Sequence, residues 1–230
     1  IIGFEDKYYA AYSGIGDISE AMQIVNGEHL AKTEEEKSEE KPWGEDEGVY
    51  ISYNWEGHSA HIVDYLGFVL ENRGIPFKLD KKDCPYTANI KEFMNAIRAG
   101  KTVIVVLSRP YLRSKNCMYE LSGIMENVDY KDRMLPVVVD DTIRDDNFYV
   151  ELVRHWKEKK DKQTEIVEKL RDIDPDMAEP AEMKLKEIEQ VYGLLKVIKE
   201  YIDWANADNL EALSSTQFKK IIDEIYKRRG

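Results

Sequence analysis

The chain has 230 residues, 43% of them hydrophobic, and its 45 acidic residues outnumber 33 basic ones to give a formal net charge of −12. This length and apolar content can bury the core of one main domain with appended helices. The acidity disfavours direct contact with a nucleic-acid backbone or an anionic membrane. Two cysteines and four histidines in no metal-type spacing predict neither a disulfide framework nor a zinc site, and no run is apolar enough to span a membrane. We therefore expect a cytoplasmic protein.

Two segments precede the main domain. Residues 1–32 mix tyrosines and aliphatic residues with small ones, and residues 18–30 have the composition of a short helix, but the pattern assigns this segment no role. Residues 33–47 are dominated by Glu and broken by Lys, Pro and Gly, which is typical of a solvated acidic linker. The main domain, with its helical C-terminal extension, is accordingly placed at residues 48–230.

From residue 48 onwards, short β-rich runs alternate with amphipathic helical stretches, which is the pattern of βαβ units around a parallel sheet. Pro76 is acceptable only at a strand start or on a sheet edge. Residues 102–107 are almost wholly apolar, as expected for a central strand covered on both faces. The pattern leaves the position of a fifth strand open. The predicted strands are residues 49–53, 75–79, 102–107 and 135–139.

Helices are predicted between and after these strands. Gly74 and Gly100 end two of them, and Ser114 can cap the N-terminus of a third. After Asp140 the pattern changes to long, highly charged helical stretches. The predicted helices are residues 61–72, a stretch carrying Ile90, Phe93, Met94 and Ile97, a helix from Ser114, and residues 149–171, 181–206 and 216–228.

Several segments between residues 47 and 141 form an ordered set. Two of them are the first strand, Val49-Tyr50-Ile51-Ser52-Tyr53, and the helical segment Cys117-Met118-Tyr119-Glu120-Leu121. The others are residues 74–80, 80–83, 90–94, 103–108, 111–114 and 133–137, with a looser likeness at 218–228. Together these segments resemble the bacterial TIR (Toll/interleukin-1 receptor) domain of the NAD-cleaving type, in which residues 80–83 would open the BB loop.

This resemblance implies an α/β fold of the flavodoxin-like type, with a five-stranded parallel sheet in the order 2-1-3-4-5 flanked by helices, followed by extra C-terminal helices. Many members release nicotinamide from NAD⁺ by means of a glutamate in the helix after the third strand. Glu120 matches that position and is the candidate catalytic residue; NAD⁺ is then the substrate, and no cofactor is expected. Two departures are Asn116, where many relatives carry Trp, and Pro85-Tyr86, where many carry Pro-Gly.

In a sheet of that order, ligands bind beyond the carboxyl ends of the first and third strands, where the strand order reverses. On a helix from Ser114, Cys117 shares one stripe with Leu121, Ile124 and Val128, and Glu120 lies at its edge. Partial burial there would raise the pKa of the carboxyl and strengthen its interaction with a developing positive charge. The candidate binding residues are Ser52, Tyr53, Asn54, Trp55, Lys81, Lys82, Ser114, Asn116, Cys117 and Tyr119.

Among these, the aromatic side chains are candidates for stacking on nicotinamide or adenine, and Lys81 and Lys82 for meeting the pyrophosphate. The leading interpretation is an NAD⁺ glycohydrolase, an effector in bacterial immune or cell-death signalling that is active when several TIR domains assemble as a homo-oligomer or filament. A sensor domain or subunit is a further expected partner.

Two alternatives differ in class. A non-catalytic TIR adaptor would act only through homotypic docking, and Asn116 and the altered BB loop leave room for it. A flavodoxin-like response-regulator receiver shares the sheet order. The receiver is disfavoured because the first strand ends in Ser52-Tyr53-Asn54, without the acidic pair that would hold a magnesium ion.

Overall fold

Four parallel strands form the sheet in the computed structural model, which describes residues 48–55, 58–79, 101–205 and 216–229. Numbered along the chain, the strands lie in the spatial order 2-1-3-4, which confirms the predicted flavodoxin-like sheet. The described residues contain four of the five expected strands. The strands are β1 (Val49–Ser52), β2 (Phe77–Leu79), β3 (Thr102–Leu107) and β4 (Met134–Val138).

The central strand is β3, all six residues of which are buried, as its apolar sequence predicts. It pairs with β1 on one side and with β4 on the other. Strand β2 is an edge strand of this sheet and begins at Phe77, two residues later than predicted. Pro76 lies just before it and its carbonyl accepts a hydrogen bond from the Val49 amide at 2.9 Å, so the proline contributes to the pairing as an acceptor without having to donate.

Seven α-helices lie among the described residues, and the predicted helical stretches that fall there are confirmed, with ends that differ by a few residues. Two short helices, Arg109–Arg113 and Tyr130–Arg133, were not predicted. The predicted helix around Phe93, the N-terminal segment and the acidic linker lie outside the described residues. The helices are α1 (His58–Asn72), α2 (Arg109–Arg113), α3 (Lys115–Met125), α4 (Tyr130–Arg133), α5 (Asp146–Ile173), α6 (Glu179–Trp204) and α7 (Lys219–Arg229).

The two faces of the sheet carry separate hydrophobic cores, because side chains alternate along each strand. On β3, Ile104 and Val106 pack on one face with α1 and α7, whereas Val103, Val105 and Leu107 pack on the other with α2, α3, α5 and α6. On β1, Val49 and Ile51 belong to the first of these cores. Ser52 therefore points to the opposite face, where α2 and α3 lie.

The long helices α5 and α6 form a hairpin that covers α3. Phe148, Leu152 and Trp156 of α5 are buried in the same core as the apolar residues of α3. Two polar contacts also join α3 to α6: Lys115 pairs with Glu187 at 2.7 Å, and the Gln190 amide donates to the Glu126 carboxylate just after α3. The hairpin and the sheet thus enclose α3 from two sides. In the part of the chain that is described, no helix is apolar over enough length to cross a membrane.

Candidate functional site

The carboxyl ends of β1 and β3 meet the start of two consecutive helices. Strand β3 ends at Leu107, and Ser108 then caps α2 by accepting a hydrogen bond from the Tyr111 amide at 3.2 Å. Pro110 occupies the first turn of α2, where its missing N–H leaves no partner unpaired. Ser114 ends α2 and caps α3 through the Cys117 amide at 3.4 Å. The starts of α2 and α3 therefore place polar and aromatic side chains beside the carboxyl ends of β1 and β3, where the strand order reverses.

Glu120 lies on the sheet-facing side of α3 and is only 4% exposed. The Ser52 hydroxyl, at the end of β1, donates a hydrogen bond to its Oε2 at 2.7 Å. Glu120 was expected at the half-exposed edge of a buried stripe. The stripe itself was predicted too narrow, because Met118, Ser122 and Gly123 are buried as well. The cause is the α5–α6 hairpin, which covers the side of α3 that would otherwise face solvent.

Val128 was wrongly placed on the buried stripe. Helix α3 ends at Met125, and Val128 lies beyond it with its side chain fully exposed. Helical spacing holds only while the helix continues, and the sequence carries no glycine or proline at this point to announce the end.

A buried group of hydroxyls extends from Glu120 towards α1 and α2. The Tyr111 hydroxyl lies 2.8 Å from Ser52 Oγ, and Tyr111 is fully buried. Ser59, in the first turn of α1, donates to Ser108 Oγ at 3.2 Å. Tyr111, Ser59 and Ser108 were not among the predicted site residues.

A readable signal for Tyr111 was available. Ser108-Arg109-Pro110 directly after an apolar strand is an N-cap followed by a first-turn proline. It predicts a helix start that would turn Tyr111 back towards the strand ends, where a buried tyrosine needs a partner for its hydroxyl.

The other predicted residues from the end of β1 also reach α3. The Cys117 thiol lies 3.7 Å from the Tyr53 carbonyl oxygen, and Asn54 Nδ2 lies 3.9 Å from Cys117 Sγ. Tyr53, Asn54 and Cys117 are all buried. The structure therefore brings together residues that are more than sixty positions apart in the sequence, as the parallel-sheet interpretation requires.

Three of the remaining predicted residues lie nearer the surface of the protein. Trp55 is 45% exposed, Asn116 is exposed and Tyr119 is half-buried on α3. The exposed Asn116 carries an amide at the position where many members of the resembled family carry Trp. Lys81 and Lys82 lie outside the described residues, so their contact with a ligand stays a prediction.

Helix α5 holds the C-terminal end of α2, one residue before the cap of α3. The Trp156 indole donates to the Leu112 carbonyl at 2.9 Å, and Lys159 Nζ donates to the Arg113 carbonyl at 3.0 Å. His155 Nε2 lies 3.1 Å from the same Arg113 carbonyl. These carbonyls belong to the last turn of a helix, where no amide within the helix can serve them.

The pKa of His155 is lowered from its usual value, first because burial disfavours the charged ring and then because Lys159 and Arg113 lie nearby. The imidazole is therefore neutral at pH 7, with its proton on Nε2 facing the Arg113 carbonyl. Burial likewise lowers the pKa of the Lys159 ammonium, and Lys115 lowers it further. Two of the cations at this junction between α2, α3 and α5 are paired: Lys115 with Glu187 at 2.7 Å and Arg113 with Glu151 at 2.8 Å.

The fold and the site together define an α/β domain with a buried carboxylate at the switch point of a parallel sheet. A family model described as the TIR domain matches residues 49–170, more than half of the chain. The chain belongs to the TIR domain family.

Among curated proteins, TMV resistance protein N of Nicotiana glutinosa is 33% identical over 94 residues, which is 40% of this chain and 8% of that protein. Disease resistance protein RUN1 of Vitis rotundifolia is 34% identical over 85 residues, which is 36% of this chain and 6% of that protein. This chain therefore spans less than a tenth of the length of either relative.

Among solved structures, the TIR domains of the activated Roq1 resistosome directly recognizing the pathogen effector XopQ match with a TM-score of 0.49 and 21% identity. The match covers 77% of this chain and 98% of that one.

Proposed function

We propose that this TIR domain is an NAD⁺ glycohydrolase and that Glu120 is its catalytic residue. The observation that carries the proposal is the buried Glu120 carboxylate, held by the Ser52 hydroxyl at 2.7 Å beside the carboxyl ends of β1 and β3. A carboxylate costs free energy to bury, and such groups are concentrated at functional sites. Open parallel sheets bind their ligands at this position.

The reaction breaks the C–N bond between the ribose C1 and the nicotinamide nitrogen. The bonding electron pair stays on that nitrogen, so nicotinamide leaves neutral while C1 gains oxocarbenium character. Water then adds to C1 and loses a proton, which gives ADP-ribose; attack by a ring nitrogen or hydroxyl of the same molecule would give a cyclic isomer instead. No general acid is needed, because the leaving group is already cationic in the substrate.

A buried anion near the ribose stabilises the transition state more than the substrate, because positive charge moves from the nicotinamide ring to the ribose during the reaction. Low local polarity strengthens this interaction. Ser52 keeps one carboxylate oxygen in a fixed direction, and the carboxylate is proposed to bind the ribose hydroxyls. Trp55 and Tyr119 are proposed to line the aromatic part of the pocket, with Lys81 and Lys82 at the pyrophosphate. The predicted Tyr53 ring packs instead in the core with α1 and α7.

We propose that the protein is an effector in immune or cell-death signalling. The proposed setting is bacterial, because the sequence resembles bacterial NAD-cleaving TIR domains. Two relatives with over 30% identity across the matched segment are, by name, resistance proteins. We further propose that assembly of several copies activates the enzyme. Activity per molecule should then rise with protein concentration, and a constant specific activity over a hundredfold range would contradict activation by assembly.

The test is nicotinamide release from NAD⁺ by concentrated protein with a crowding agent, comparing wild type with Glu120→Gln and Glu120→Ala. Loss of a transition-state electrostatic contact should lower kcat by about 10²- to 10³-fold. Glu168→Gln is the matched control, since Glu168 is an exposed glutamate on α5, and it should retain wild-type turnover. Folded, assembled wild-type protein that releases no nicotinamide would refute the enzyme and favour the TIR adaptor.

A further inference from the structure

The hydroxyl of Tyr111 continues the hydrogen-bonded path that begins at Glu120. Ser52 Oγ lies 2.7 Å from Glu120 Oε2 and 2.8 Å from the Tyr111 hydroxyl. All three side chains are at most 4% exposed. They come from β1, α2 and α3, so the path joins the three elements that build the site.

The proton directions along this path follow from the chemistry of the groups. An ionised carboxylate only accepts hydrogen bonds, and a serine hydroxyl has a single proton to donate. Once that proton points to Glu120, Ser52 Oγ can only accept from its other neighbour. Tyr111 must therefore donate to Ser52, and the order of donation is Tyr111 to Ser52 to Glu120.

We propose that Tyr111 is a positioning residue for Glu120 and acts on it through Ser52. The inference rests on the proposed function, because positioning matters to turnover only if Glu120 is catalytic. A hydroxyl that accepts a hydrogen bond becomes a stronger donor to its own acceptor. Tyr111 thus tightens the Ser52–Glu120 bond, fixes the carboxylate in one orientation and favours its ionised form.

The backbone around Tyr111 is suited to this task because it is held at both ends. Ser108 accepts the Tyr111 amide, and Trp156 donates to the carbonyl of the next residue, Leu112. A tyrosine in such a frame has little freedom to move its hydroxyl away from Ser52. The packing of α5 on α2 therefore helps to set the position of the Tyr111 hydroxyl.

The experiment compares wild type with Tyr111→Phe, Ser52→Ala and the double variant. Tyr111→Phe should lower kcat about three- to tenfold with little change in KM, because substrate contacts are untouched while the carboxylate loses its fixed direction. In the Ser52→Ala background, Tyr111→Phe should have no further effect, because the connection is already broken. Tyr192→Phe, at a half-buried tyrosine on α6, is the control and should leave kcat unchanged.

A second readout does not depend on turnover. The Glu120 carboxyl is titrated by ¹³C NMR in wild type, Tyr111→Phe and Tyr192→Phe. Loss of the Tyr111 donor should raise the measured pKa of Glu120, because the Ser52 hydroxyl becomes a weaker donor to the ionised carboxylate, and Tyr192→Phe should not change it. If wild type releases no nicotinamide, the proposed function fails while this titration still decides the role of Tyr111. An unchanged Glu120 pKa in Tyr111→Phe, or kcat losses that simply multiply in the double variant, would overturn the proposal.

Discussion

Replacing Trp156 by Phe tests whether the α5–α6 hairpin supports the helix that carries Glu120. Trp156 is fully buried, and its indole N–H donates to the Leu112 carbonyl at 2.9 Å. Lys159 Nζ also lies 4.7 Å from the centre of the Trp156 ring. Phenylalanine keeps an aromatic ring at this position but cannot donate, and it is smaller than the indole.

The expected loss of stability follows from these contacts. A net hydrogen bond contributes about 1 kcal/mol, and a buried carbonyl left without its partner costs about 1–3 kcal/mol. The smaller ring adds part of the roughly 3–5 kcal/mol that full truncation of a buried aromatic residue costs. We expect the free energy of unfolding to fall by about 2–4 kcal/mol. At roughly 2–4 °C per kcal/mol for a chain of this size, Tm should fall by roughly 4–16 °C.

The assay is urea unfolding followed by far-UV circular dichroism, with Tm measured by calorimetry on the same samples. Trp204→Phe is the matched control, because Trp204 is 60% exposed, and it should change the stability by less than about 0.5 kcal/mol. Nicotinamide release by Trp156→Phe should also fall, because α2 and the cap of α3 lose their support. A Trp156→Phe protein within about 0.5 kcal/mol of wild type would refute the supporting role given to α5.

Three further predictions concern stability alone. The pKa of His155 is lower in the folded state than in the unfolded chain, so the unfolded state binds more protons at pH values between the two. The free energy of unfolding of wild type should therefore fall as pH drops below about 6.5 and then level off. His155→Gln should lack this drop in urea titrations from pH 7 to 5. Gly193→Ala should raise the free energy of unfolding by about 0.5–1 kcal/mol, since Gly193 lies inside α6 and an added Cβ meets nothing within 4 Å. Gly74→Ala should instead lower it by about 1 kcal/mol, because Gly74 has φ of +64° after the end of α1; calorimetry distinguishes the two signs, and equal shifts in both variants would contradict the backbone argument.

Local sequence pattern predicted which strand and which helix carry the candidate site. The apolar run of β3 predicted a central strand, and the structure buries every residue of it. Ser114 was expected to cap the next helix, and its side chain accepts the Cys117 amide. The strand order implied by the family resemblance makes β1 and β3 neighbours, and parallel strands place their carboxyl ends at one edge, so residues after these two strands were expected to meet. The contact between Ser52 and Glu120 agrees with that expectation.

The depth of Glu120 was not predictable in the same way. Helical spacing assigns a residue to a face of its own helix but does not show what covers that face. Glu120 faces Ser52 of β1, which lies 68 residues earlier in the chain, and the spacing of α3 does not show how closely that strand end approaches. The α5–α6 hairpin lies on another side of α3, and its charged sequence gives no sign that Trp156 reaches back to Leu112. The contact between Tyr111 and Ser52 likewise depends on the direction in which α2 follows β3, and only the cap residue Ser108 separates the two elements.

The sequence by itself determined the class of fold, the strand that forms the centre of the sheet and the helix that carries the candidate carboxylate, because these depend on periodicity and caps within a few residues of each other. Only the tertiary structure decided that Glu120 is buried, that Ser52 holds it and that Tyr111 stands behind Ser52. In the sequence, Tyr111 lies 59 residues from Ser52 and Glu120 lies 68 residues from it. The geometry of these contacts depends on how separate helices and strands pack together, which no local sequence pattern specifies.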